Sequence, residues 1–341
     1  MNRWTLALVL IALWIPGSGP SAWAEDSLKA ALAQSLDMKE NAFAKLSDDP
    51  KVSEMDVPDR SRQVSLAGLI RLSSSGEEFL QELEEAQNGS LLGPSQAEGF
   101  FGRPATAKDL ANLTLPDGDF EVLADCKPAN CKFKLSREGI EKAQSIDWKN
   151  SASRNQFSEY FKNYLAQYVE TFRQEGAKAL IVYDDKPKPF ALKDGAESLR
   201  ARMTLWSERE PRLFTYLSQY PADRPEGIRD QIYWSLKDFG YRPTLSVDLV
   251  VVDSSPQTPG VKALFVQQTL YADHYLAARY QIGVLLDGPE ALGVPGHFLF
   301  LTDQILFDDG LGSFKRSLLG RGMRSDLAER LQSIAKKTKQ K

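Results

Sequence analysis

The last third of the chain confines the fold more than any other stretch. Residues 232–239, 244–252, 263–271, 276–286 and 297–305 are strand-length segments rich in β-branched and aromatic side chains. They are parted by Gly240, by the turn cluster 254–260, by Ala272-Asp273 and by the loop 287–296. Parallel neighbours need crossovers of a dozen or more residues, so links this short predict an antiparallel meander.

Upstream, the period of the apolar residues changes. Phe157, Tyr160, Phe161, Tyr164, Leu165, Tyr168, Val169 and Phe172 fall on one side of a helix spanning about 153–175, with Gly176 as its stop. Shorter helices are expected over 25–36, from Ser75, over 136–146 with Ser136 as cap, over 195–206, and from Pro211. Alternation over 62–72 predicts a strand, and the Gly, Ser and Pro content of 88–104 predicts a long loop. Leu327, Leu331 and Ile334 mark a closing amphipathic helix over 325–337. Helices in the middle and strands at the end predict an α+β fold: an antiparallel β-meander in the last third, packed against helices and closed by the C-terminal amphipathic helix.

The first 24 residues read as a secretory signal peptide. Arg3 is its positive start, residues 4–15 carry no charge, and Ala22-Trp23-Ala24 is a small-x-small cleavage pattern before Glu25. Twelve apolar residues cover about 18 Å of a hydrocarbon core about 30 Å thick, too little for a membrane anchor. No later apolar run is long enough to span a membrane, so the expected protein is exported, periplasmic or extracellular. The expected layout is a signal peptide (1–24), an N-terminal helix and loose linker (25–60), one α+β domain (61–335, with a helical segment at about 153–220) and a basic tail (336–341). Hydrophobic residues make up 42% of the chain and the net charge is −4, which excludes a largely disordered chain and a general nucleic-acid binder.

Few residues invite chemistry. Cys126 and Cys131 flank the turn-forming Lys127-Pro128-Ala129-Asn130, and in an oxidising compartment they are expected to form a structural disulfide. The alternatives are a redox pair, which normally uses a two-residue spacer, or free thiols. Two cysteines and two distant histidines do not supply four zinc ligands, so no metal and no cofactor is expected. Tyr271-Ala272-Asp273-His274-Tyr275 places a histidine among a carboxylate and two phenols between apolar strands. On a strand Asp273 and His274 would point to opposite faces, which favours a buried hydrogen-bonded role over catalysis. Asp184-Asp185 ends an apolar run and reads as a solvated turn, or as carboxylates for a metal or for hydrolysis. Gly-x-Ser-x-Gly, a phosphate-binding glycine loop and His-Glu-x-x-His are absent from the sequence.

Gln268–Tyr275, Ile232-Tyr233-Trp234-Ser235, Asp125-Cys126, Asn130-Cys131-Lys132 and Lys134-Leu135 resemble a family of uncharacterised exported bacterial proteins, over about residues 63–330. The resemblance implies export and a disulfide, and no activity. The order of strand, short helices, meander and long C-terminal helix is also similar to the helix-grip order of lipid-transfer and polyketide-cyclase-like domains, with 153–220 as an insertion. That similarity is of fold and does not fix function.

Three readings follow. The first is a binding protein for a hydrophobic small molecule or lipid, held between the sheet and the aromatic helix by Tyr271, His274, Tyr275, Tyr164 and Tyr168. The second is a hydrolase using His274 with Asp184 or Asp185. The third is a cell-envelope interaction module without a small ligand. Oligomeric state is not legible in the sequence.

Overall fold

The computed structural model describes residues 22–73, 75–85, 95–238 and 242–337. Nearly all of the expected signal peptide, and the end of the basic tail, lie outside them. Ten strands and ten helices are described: β1 (Lys51–Glu54), β2 (Gln63–Leu72), β3 (Ala97–Phe100), β4 (Val182–Tyr183), β5 (Phe190–Ala191), β6 (Ile228–Asp238), β7 (Pro243–Asp253), β8 (Val261–Ala272), β9 (Leu276–Asp287) and β10 (His297–Phe307). The helices are α1 (Ala22–Ser35), α2 (Gly76–Glu85), α3 (Asp117–Ala124), α4 (Arg137–Gln144), α5 (Ser153–Glu175), α6 (Leu192–Arg200), α7 (Thr204–Arg209), α8 (Pro211–Gln219), α9 (Gly288–Ala291) and α10 (Ser313–Lys337).

Eight strands make one antiparallel sheet in the order β1-β2-β10-β9-β8-β7-β6-β3. The meander β6–β10 is the one expected from the short links. The early strand β2 closes onto its last member, from His297↔Leu72 to Leu306↔Gln63. With α10 laid over β1 and β2 this is the helix-grip order, extended by β1 at one edge. Helices α3 to α8, with the β4–β5 hairpin among them, lie between β3 and β6.

Because strand side chains alternate, each face of the sheet has its own core. On one face Leu264, Val266, Ile282, Val284 and Phe300 are buried in the same cluster as the inserted helices, with the Trp206 ring 6.1 Å from that of Phe300. On the other face Val64, Leu66, Ile70, Leu299 and Leu301 pack under Leu327, Leu331 and Ile334 of α10. Gly68 of β2 allows the close approach, since a Cβ there would lie 2.7 Å from Leu331 Cδ1. Arg279 on this face grips Asp303 through two hydrogen bonds of 2.9 and 2.6 Å. Burial works against the Asp303 charge, yet Arg279 holds its carboxyl below the usual range.

Three expectations need correction. The stretch 88–104 is not all loop: Ala97–Phe100 forms β3, which satisfies the outer edge of β6, and Gly99 accommodates the Trp234 indole. The segment 195–206 is two helices, interrupted at Met203 by a backbone with ψ of 38°. Finally, α10 begins at Ser313 rather than near 325. Its first half is anchored by charge, through Arg316 and Arg324 on Glu54, and so lacks the apolar stripe that marks a helix in sequence.

Gly283 on β9 lies directly opposite Phe265 on β8, and a Cβ on it would fall 2.0 Å from the ring. Gly283→Ala is therefore expected to destabilise the fold by about 1–3 kcal/mol in a denaturant titration. Adding Phe265→Leu should recover part of that loss. Equal stability of wild type and Gly283→Ala would contradict this register.

Candidate functional site

The segment after α3 organises the polar interior. Cys126 and Cys131 are joined by a disulfide across the Lys127–Asn130 turn. Residues 131–135 then pass between the end of β4 and the β8–β9 turn. Cys131 N donates to Asp185 O (2.9 Å), Lys134 N to Asp273 O (2.8 Å), and Asp184 N to Leu135 O (2.9 Å). Phe133 is wholly buried and meets the rings of Phe157, Phe161 and His274 edge-on. The disulfide closes a six-residue ring. Replacing both cysteines by serine is expected to cost about 2 kcal/mol, read by denaturation with matched oxidised controls.

The β8–β9 turn carries the histidine. Asp273 N donates to Leu245 O, and Asp273 Oδ1 accepts from Leu245 N at 2.9 Å. His274 Nδ1 lies 3.1 Å from Lys132 O, and Nε2 lies 3.0 Å from Oδ1 of Asp119 on α3. Arg242 Nη1 approaches the same oxygen at 3.4 Å. Asp273 and His274 sit in the link between the strands, where opposite strand faces do not apply, so both join one cluster with Asp119. Asp119 was invisible to sequence reasoning, because Pro116-Asp117-Gly118-Asp119 looks like an ordinary polar turn.

Burial alone would lower the His274 pKa, but the carboxylates of Asp273 and Asp119 raise it above its ordinary 6.5. Burial pushes the Asp273 carboxyl up to about 7, with His274 pulling against that shift and Asp119 adding to it. Both groups therefore favour the protonated form in the fold. The stabilisation from His274 is complete below 6.5 and is lost as pH rises through its raised folded value. Ring-nitrogen NMR should give His274 a titration midpoint above 6.5, and Asp119→Asn should bring it down. A midpoint at or below 6.5 in the wild type would remove this account.

His274 is 3% exposed and Asp119 and Asp273 are fully buried, so the cluster offers no surface to a substrate. Asp184 and Asp185 do not form the predicted solvated turn. Both are buried, and Asp184 Oδ2 pairs with Arg137 Nε at 2.8 Å. Burial raises the Asp185 carboxyl, with Lys134 acting the other way. The carboxylates that meet His274 are Asp119 and Asp273, not Asp184 or Asp185.

The five tyrosine and histidine positions expected to touch a ligand divide into two places. Tyr271 is sealed in the core and its hydroxyl donates to Lys134 O at 2.7 Å. Tyr275 packs its ring against His274. Tyr164 and Tyr168, in contrast, line an open groove of about 650 Å³ along α5, with Gln167, Thr171, Leu180 and Val182. Their rings stack at 6.4 Å with planes 9° apart, and Tyr160 continues the ladder 6.1 Å beyond Tyr164. The Tyr168 hydroxyl is already engaged, donating to Leu270 O at 2.6 Å. Arg137 and Asp184 also line the groove. The expected cavity between α5 and the sheet is occupied by side chains: Phe157, Phe161, Leu165, Val169 and Phe172 are all buried there.

No protein-family profile matches the chain, and no curated protein matches it. The motif resemblance to exported bacterial proteins thus has no family match behind it. Among solved structures, the di-domain ARO/CYC BexL from the BE-7585A biosynthetic pathway is similar at 10% identity, over 92% of this chain and 95% of that one, with a TM-score of 0.24. A superposition that loose carries no argument, and the α+β assignment rests on the sheet order itself. Among the described residues no helix is long and apolar enough to cross a membrane, and the disulfide fits an oxidising compartment.

Proposed function

We propose that this chain is an exported binding protein for a hydrophobic small molecule, and that the ligand lies in the open groove along α5. The observation that supports this reading is the stacked ladder of Tyr160, Tyr164 and Tyr168 beside that groove. Stacked phenols offer a flat apolar wall at little entropic cost. Leu180 and Val182 add aliphatic contact, and Gln167 and Thr171 offer hydrogen bonds that fix orientation. A polar head on the ligand reaches the guanidinium of Arg137. This reading keeps Tyr164 and Tyr168 as contacts and leaves Tyr271, His274 and Tyr275 outside the binding face. A hydrolase built on His274 has no comparable support, because its carboxylate partner is as deeply buried as the ring.

The mature chain, purified from cells that make it, should carry a co-purifying apolar molecule identifiable by mass spectrometry. Titration with a fluorescent apolar dye should show Tyr164→Ala weakening binding about tenfold, equivalent to about 1.4 kcal/mol. Tyr271→Phe, which leaves the groove untouched, should bind like wild type. Unchanged binding in Tyr164→Ala would dismiss the groove.

A further inference from the structure

The cluster at the β8–β9 turn has no part in the groove. Asp119, Asp273 and His274 each place a donor atom within 4.8 Å of the others, and all three are buried. Oδ2 of Asp119 and Oδ2 of Asp273 find no hydrogen-bond partner, although both residues are 0% exposed. Two dry, unpartnered carboxylate oxygens are costly unless a proton or a cation meets them. The imidazole contributes one positive charge to the pair, and the Arg242 guanidinium reaches only Oδ1 of Asp119.

Each of the three side chains is also held by its other polar atom. His274 Nδ1 donates to the Lys132 carbonyl, which turns Nε2 toward the carboxylates. Asp273 is fixed through Oδ1 by Leu245 N, and Asp119 through Oδ1 by Arg242, a contact that does not use His274 Nε2. A histidine fixed by a backbone carbonyl, with carboxylates anchored through one oxygen and open at the other, is the outer-shell arrangement of a metal site.

We propose that Asp119 Oδ2, Asp273 Oδ2 and His274 Nε2 bind a divalent transition-metal ion of the zinc class. Two carboxylates and a neutral imidazole balance a dipositive ion, and the protons on His274 Nε2 and on the Asp273 carboxyl leave for solvent as the ion enters. The nitrogen ligand favours zinc over magnesium or calcium, which take oxygen sets. Because the site is sealed, the ion acts as a cross-link. It ties α3 to the β8–β9 turn, next to the covalent tie at Cys126–Cys131.

The test uses the whole mature chain, stripped with a chelator and loaded with zinc chloride in two ways: long incubation, and refolding with the ion present. The chain has two histidines, so nitrogen-15 histidine labelling gives a spectrum of two rings. The expected result is one zinc per chain, a higher Tm, and a displaced Nε2 resonance for His274 with His297 unmoved. Asp119→Asn and Asp273→Asn should each weaken zinc binding at least tenfold, and His297→Ala should leave it unchanged. His274 resonances unmoved at saturating zinc by both routes would overturn the proposal. Displacement at His297 alone, or stoichiometry unaffected by Asp119→Asn, would do the same by showing surface adsorption only. Should either aspartate variant fail to fold, the wild-type histidine spectrum decides.

Discussion

Backbone that passes through a protein interior must find a partner for nearly every amide and carbonyl, and residues 131–135 pass through this one. Their demands explain much of what surrounds them. The Cys131 amide is met by Asp185 O, the Lys134 amide by Asp273 O, and the Leu135 carbonyl by Asp184 N. The Lys132 carbonyl takes His274 Nδ1 and the Lys134 carbonyl takes the Tyr271 hydroxyl. The Tyr271–Tyr275 motif is thus largely a set of partners for one extended segment. The disulfide stands at the entrance of that segment and limits the entropy lost when it threads.

The same accounting separates what could be read in the sequence from what could not. Helix α5 is legible because one apolar face repeats over 23 residues, and the meander because its turns are short and distinct. The cap at Ser136 is legible too, since its hydroxyl accepts from Gly139 N as a serine before a helix should. In contrast, β3 has four residues and exists only because β6 offers it an edge. The first half of α10 is held by Arg–Glu pairs whose partner lies far away in sequence, on β1. Asp119 belongs to the same class. Nothing near it in sequence shows that the folded chain brings it to His274, 155 residues away.

Long-range closure also decides which side of α5 is free for function. The face with Phe157, Phe161, Leu165 and Phe172 is consumed by Phe133 and the sheet, as large aromatic faces usually are when a core must be filled to crystal-like density. Tyr164 lies at the margin of that face, half-buried, where the 179–182 segment stops short of covering it. A helical period predicts which side of a helix is apolar, but the margin that stays open is set by where a neighbouring loop ends. The groove therefore falls at the edge of the stripe on α5, while the deepest aromatic residues serve packing alone.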